Sequence, residues 1–281
     1  MSLETLALGE ALPAHHVRAR MPAEVTENKI HEDGLARDLG FRGALVPGVT
    51  VYAWMTHPVV AALGTAWLER GSFRARFASP VYFDEPIRIE ASVTERPADA
   101  ATIEVRAVNA REETCATATF GLAAGPRPSA PDVAGYPAAP LPAERPRVSR
   151  EILTARPILG TPELRLDPPT IQAFLERVGE PLPLYTAPAA PAHPGLYLHE
   201  ANKALSRNVV VSPWIHVESE GQHLGPARAG ERLETRAKVG RLFEKKGHQF
   251  VELDLLQLAD GARPVARIRH TAIYQLRGVS G

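Results

Sequence analysis

The sequence predicts an α+β protein made of two tandem copies of one unit, each a long apolar helix followed by an antiparallel meander. Three observations predict this. Residues 49–64 are apolar on most sides, as in a helix buried all round. Four runs rich in β-branched and aromatic residues follow, several alternating apolar with polar. The same order then returns in the second half. A repeat of well over one hundred residues means tandem domains, because solenoid units are only about 20–50 residues long.

In chain order, a polar loop carries Glu27, Asn28, Lys29 and His31, and Glu32 and Asp33 open a short helical run. Phe41-Arg42-Gly43 turns the chain toward Pro47-Gly48, which opens the first long helix. The first N–H groups of a helix lack internal partners and carry partial positive charge. Those of Gly48 and Val49 can therefore hold a carbonyl oxygen that gains charge, with His31 beside it to move a proton. Strands are predicted over 72–82, 86–97, 102–111 and 114–122, with Ile87-Arg88-Ile89-Glu90-Ala91 alternating most clearly. Turn residues at 84–86, 97–99 and 111–113 separate them.

Residues 123–146 hold seven prolines and many alanines, which predicts an extended connector that cannot pair as a central strand. It divides a first domain, 1–122, from a second, 147–281. In the second, 167–178 reads as a helix with Asp167 as N-cap and Pro168-Pro169 in its first turn. His193-Pro194-Gly195 opens another helix over 196–207. Strand-like runs cover 214–224, 232–242, 249–259 and 264–276. Ser79-Pro80-Val81-Tyr82-Phe83-Asp84-Glu85 lines up with Gly225-Pro226-Ala227-Arg228-Ala229-Gly230-Glu231: strand, proline, turn, acid, new strand.

The loop and helix start together resemble the MaoC-like (R)-specific enoyl-CoA hydratases and dehydratases of the hotdog fold, in which an antiparallel sheet wraps a central helix. Their signature, Asp-x-Asn-Pro-x-His followed by His-Gly at the helix start, places Asn28 and His31 on the Asn and His. It places Pro47-Gly48 on the His-Gly. Thr56 falls where members often carry a serine facing substrate. Thr26 occupies the place of the family Asp and Lys29 that of the Pro. Threonine is no base at neutral pH, so Glu27, Glu32 and Asp33 are the candidate substitutes. In the second copy Glu180, Pro183 and Tyr185 fall on the Asp, Pro and His, a worn site read as structural.

The resemblance implies two tandem hotdog domains acting on an acyl thioester, with coenzyme A or an acyl carrier as the handle and no separate cofactor. Hydration of a 2-enoyl thioester, or the reverse, is the first reading, with His31 as base and Asn28 orienting water. A double-bond shift or thioester hydrolysis on the same fold is the second, and a non-catalytic acyl-CoA-binding protein or subunit the third. The domain pair would act as an intramolecular pseudo-dimer, or pair again as a homodimer.

Lys+Arg and Asp+Glu both total 32, so the chain lacks the basic excess of nucleic-acid binders. Cys115 is the single cysteine and sits in an alternating strand, which suits a buried residue in a reducing, cytoplasmic compartment. Residues 1–16 lack the features of a secretory signal, and no run of about 20 apolar residues would span a membrane. The ten histidines do not fall at metal-ligand spacings. His15-His16 reads as an exposed pair, and Arg241, Lys245 and Lys246 as solvated charges at a hairpin.

Overall fold

The computed structural model describes residues 3–19 and 27–278. Thr26, in the place of the family Asp, lies outside the described residues. The first half runs β1 (Ala11–Arg18), α1 (Asp33–Asp38), α2 (Gly48–Arg70), β2 (Ser72–Phe77), β3 (Pro86–Glu95), β4 (Ala100–Asn109) and β5 (Thr114–Ala123). The second runs α3 (Arg150–Ala155), β6 (Glu163–Arg165), α4 (Pro168–Val178), α5 (Pro194–Ser206), β7 (Ile215–His223), β8 (Arg232–Lys245), β9 (His248–Ala259) and β10 (Arg263–Gln275).

All ten strands form one antiparallel sheet in the order β1-β3-β4-β5-β2-β7-β10-β9-β8-β6. The two halves of that order mirror each other about the β2–β7 seam. Register at the seam pairs Arg74 with Glu220 and Arg76 with Glu218, and Arg74 also reaches Glu218 at 2.6 Å. A slip of one residue would turn these charges to the other face and the buried Phe73 and Ala75 outward.

The sequence predicts four strands per copy, and among the described residues each copy has five. The extra ones, β1 and β6, are the sheet's edges. β1 shows mostly exposed and half-buried residues and β6 spans only three, so neither carries the buried alternation that marks the other strands. His15 and His16 lie within β1. His16 is exposed, but His15 is half-buried and stacks on His57 of α2 with ring centroids 3.8 Å apart. The pair is therefore not jointly exposed: β1 packs on α2, and period-two alternation turns alternate residues inward.

The repeat holds at atomic detail. Asp84 and Gly230 both adopt positive φ, at 60° and 93°. Glu85 Oε2 accepts the Tyr82 N–H at 3.3 Å, and Glu231 Oε2 accepts the Arg228 N–H at 2.7 Å. The helix starts correspond one residue earlier than the shared Pro-Gly suggests. Val46 N–H donates to Val81 O and Ala192 N–H to Ala227 O, so Pro47 and His193 are equivalent as the N-caps of α2 and α5.

α2 is buried on nearly every side, as its apolar sequence requires. It bends at Gly64, whose φ of 59° is open to glycine, and continues to Arg70 beyond the predicted end at 64. It packs on α5 so closely that a Cβ on Gly195 would lie 2.7 Å from the Ala53 Cβ. Trp54 Nε1–H donates to Val178 O at 2.9 Å and fixes the end of α4 against α2. The proline-rich connector runs over the second half of the sheet: Tyr136 is buried and donates its hydroxyl to Asp254 at 2.9 Å. Among the described residues no helix is long and apolar enough to cross a membrane.

Candidate active site

Asn28, at the mouth of a short 3-10 turn spanning Lys29–His31, is held by the second half of the chain. Its Nδ2 donates to Trp214 O at 2.9 Å, and its Oδ1 accepts the Trp214 N–H at 3.3 Å. His31 Nδ1 lies 2.7 Å from Leu45 O, which requires Nδ1 to carry the proton. Nε2 is then the lone pair, and Asn28 Nδ2 faces it at 3.3 Å. Burial lowers the His31 pKa below the ordinary imidazole value, with the Leu45 carbonyl acting the other way. His31 is thus a neutral base at neutral pH.

Two cavities meet at this histidine. The inner one, about 240 Å³, is lined by apolar residues including Val51, Phe77 and Ile273, together with Gly48 and His216. The outer one, about 510 Å³, carries Val49, Thr50 and the cationic residues Arg177, Lys203 and Arg207. Asn28, His31, Pro47, Asn202 and Trp214 line both. The N-terminus of α2 points between them. Thr50 and Val51 N–H already donate to Pro47 O, which leaves Gly48 and Val49 as the N–H groups ahead of the first intrahelical bonds. A neutral base, a helix N-terminus and an apolar chamber with a basic mouth suit an elongated ligand with a polarisable carbonyl and an anionic tail.

Of the residues singled out in the sequence, Asn28 and His31 line both cavities, Gly48 the inner one and Val49 the outer one. Thr56 is not among the lining residues: it is fully buried and donates its hydroxyl back to Ala53 O at 2.7 Å. The candidate carboxylates are also engaged elsewhere. Glu32 pairs with Lys29 at 2.7 Å. Asp33 accepts the Ala44 N–H at 2.7 Å and pairs with Arg37 at 3.3 Å, pinning the turn before α2. Glu27 borders the outer cavity but is bound to Arg145 at 2.7 Å, which lowers its pKa. Arg241, Lys245 and Lys246 line neither cavity.

Sequence reasoning missed the contribution of the second half. Asn202 borders both cavities, and its Oδ1 is buried without a hydrogen-bond partner. Trp214 positions Asn28 through its backbone alone, so no side-chain motif could reveal it.

The worn signature of the second copy forms a buried cluster. Glu180 accepts from His57 Nδ1 at 2.9 Å and from the Leu182 N–H at 2.8 Å, and lies 3.4 Å from His193 Nε2. His193 Nδ1 accepts the Gly195 N–H at 3.0 Å and so caps α5. Burial opposes the Glu180 charge, but the bonds to His193, His57 and Leu182 together lower its pKa to about 2. Neither cavity reaches Glu180, His193 or Tyr185.

No protein-family model and no curated protein matches the sequence. Among solved structures the chain is similar to a putative MaoC domain protein dehydratase from Chloroflexus aurantiacus J-10-fl. The TM-score is 0.69 and the identity 11%, over 99% of this chain and 98% of that one. A conserved hypothetical protein from Mycobacterium tuberculosis, described as having a double hotdog fold, follows at TM-score 0.66 and 15% identity, over 97% and 98%. This chain has a double hotdog fold. The fold is shared with a putative oleoyl thioesterase from Lactobacillus plantarum, at TM-score 0.55 and 11% identity over 96% and 98% of the two chains. In this double hotdog both central helices are retained, while the two helix starts carry different chemistry: an open cavity at Pro47-Gly48 and a sealed carboxylate–histidine cluster at His193.

Proposed function

We propose that this double hotdog is an acyl-thioester hydratase or dehydratase of MaoC-like type, acting at the His31 cavity. The observation that carries the reading is the accepting Nε2 of His31, faced by Asn28 Nδ2 at 3.3 Å, beside the N-terminus of α2 where the two cavities meet. In the hydration direction, water bonds to Cβ of a 2-enoyl thioester and gives a proton to His31 Nε2. The Cα–Cβ π electrons move toward the thioester oxygen, which the N–H groups of Gly48 and Val49 stabilise. The imidazolium then returns the proton to Cα, so one base serves both steps. The water enters between Asn28 and His31, taking over the Asn28 Nδ2–H that faces Nε2 while the other N–H stays on Trp214 O. The acyl chain occupies the inner cavity, and the phosphates of coenzyme A or a carrier lie toward Arg177, Lys203 and Arg207.

Thioester hydrolysis on the same scaffold is the second reading, favoured by the structural likeness to a putative thioesterase. Incubation with crotonyl-CoA and longer 2-enoyl-CoAs separates the two. A product heavier by one water supports hydration, and release of free coenzyme A thiol supports hydrolysis.

A further inference from the structure

The inner cavity contains a second histidine with an unusual arrangement around it. His216, on β7, is 6% exposed and its Nδ1 has no hydrogen-bond partner. That nitrogen faces the start of α2: a Cβ placed on Gly48 would lie 3.3 Å from it. Behind the ring, His216 Nε2 lies 2.8 Å from Ser219 Oγ, and Ser219 Oγ lies 2.8 Å from His270 Nδ1 on β10. The two imidazoles stack with centroids 4.1 Å apart.

A β-bulge makes this chain of contacts. Residues three apart on a regular strand point to opposite faces. Here the register moves from Glu218 opposite Thr271 to His216 opposite Ala272, so Val217 is an extra residue. It brings His216 and Ser219 to the same side.

Resting on the hydratase reading of the cavity, we propose that His216 is a further catalytic residue that donates its Nδ1–H to the thioester oxygen, and that Ser219 and His270 are positioning residues that select this tautomer. A single hydroxyl between two imidazoles donates to one and accepts from the other. If His216 Nε2 carried the proton, the remaining N–H of the chain would be His270 Nε2–H. His270 Nε2 and His216 Nδ1 are both buried without a partner in the protein, but only His216 borders the cavity, so only its N–H gains an acceptor when a ligand binds, whereas one on His270 stays orphaned. In the opposite arrangement His270 Nδ1–H donates to Ser219, and Ser219 donates to His216 Nε2. The N–H of His216 Nδ1 then faces the cavity, where a ligand oxygen can accept it. Burial, with His270 next to it, holds His216 well below the ordinary histidine pKa, while the Glu218 backbone acts the other way. The ring therefore stays neutral with its proton in place. It joins the Gly48 and Val49 N–H groups as a third donor at the site of developing charge.

Imidazole ¹⁵N NMR of histidine-labelled protein tests the tautomer without substrate. The expected result is both His216 and His270 protonated at Nδ1, with the His216 preference lost in Ser219→Ala and kept in Ser219→Thr. His216 protonated at Nε2 in the wild type, or unmoved by Ser219→Ala, overturns the relay. With crotonyl-CoA, His216→Phe should lower kcat about a hundredfold. Ser219→Ala should lower kcat more than it changes KM, with Ser219→Thr restoring it. The carbonyl stretch of bound crotonyl-CoA should rise in His216→Phe and Ser219→Ala. An unshifted carbonyl in both variants overturns the donor role. A wild type that binds crotonyl-CoA without turnover overturns the hydratase reading instead, and the NMR and carbonyl readouts still decide His216.

Discussion

Lowering the pH should unfold this protein through histidines that the fold keeps neutral. His223 is fully buried, and both ring nitrogens lack partners. It packs against Trp67 at 4.6 Å, Phe73 at 5.6 Å and Tyr197 at 5.7 Å, an apolar cage that a charge enters only at high cost. Burial lowers its pKa from 6.5 to about 3, and that of His270 likewise to about 3. The unfolded chain binds these protons and the folded chain does not, so stability is lost as pH falls below about 6.5, down to the folded values. Each histidine then removes about 1.4 kcal/mol per pH unit, so roughly 3 kcal/mol each by about pH 4.5 and about 5 kcal/mol for the two. That rivals the whole stability of many domains, about 5–15 kcal/mol. Urea unfolding followed by circular dichroism near pH 7 and near pH 4.5 measures the loss. His223→Leu should reduce the pH slope by about one proton, and at neutral pH it should leave stability equal or higher, because it removes unsatisfied polar atoms. A wild-type stability that is flat across this range would refute the reasoning.

Other outcomes follow from the same contacts. His31→Ala should lower turnover of the true substrate by about a hundredfold or more while leaving the unfolding midpoint nearly unchanged. The acid limb of kcat/KM should fall below the unperturbed histidine value of 6.5, because His31 must be neutral to act and burial lowers its pKa. A pH-rate profile that loses activity above that value would contradict this. Glu180→Ala should destabilise the fold by roughly 3 kcal/mol, since it strips a buried acceptor from His57, His193 and the Leu182 N–H. Differential scanning calorimetry would show the loss, and an unchanged midpoint would mean that the cluster does not hold the halves together.

The fold was legible because its signals are local. The alternation at Ile87–Val93 and the proline–turn–acid repeat at Glu85 and Glu231 each follow from one stretch of chain. The edge strands β1 and β6 carry little sequence signal, because an edge need not be apolar on either face. His31, Asn28 and the start of α2 were legible through their spacing. The rest of the site comes from across the β2–β7 seam, where no spacing links Trp214 or Asn202 to His31. His216 and Ser219 were hidden by the bulge at Val217, because three-residue spacing on a strand ordinarily separates two side chains. Glu180 stands out in the second copy's sequence, but its partner His57 on α2 is found only once the two helices are packed.

The central claim is that His31 Nε2 works as a base at the start of α2. Incubation of wild type and His31→Ala with crotonyl-CoA and longer 2-enoyl-CoAs, following enoyl absorbance and product mass, tests it most directly. Gain of one water by the wild type, lost in the folded variant, is the predicted result. Equal turnover by the two proteins, or no hydration at any chain length, would contradict it.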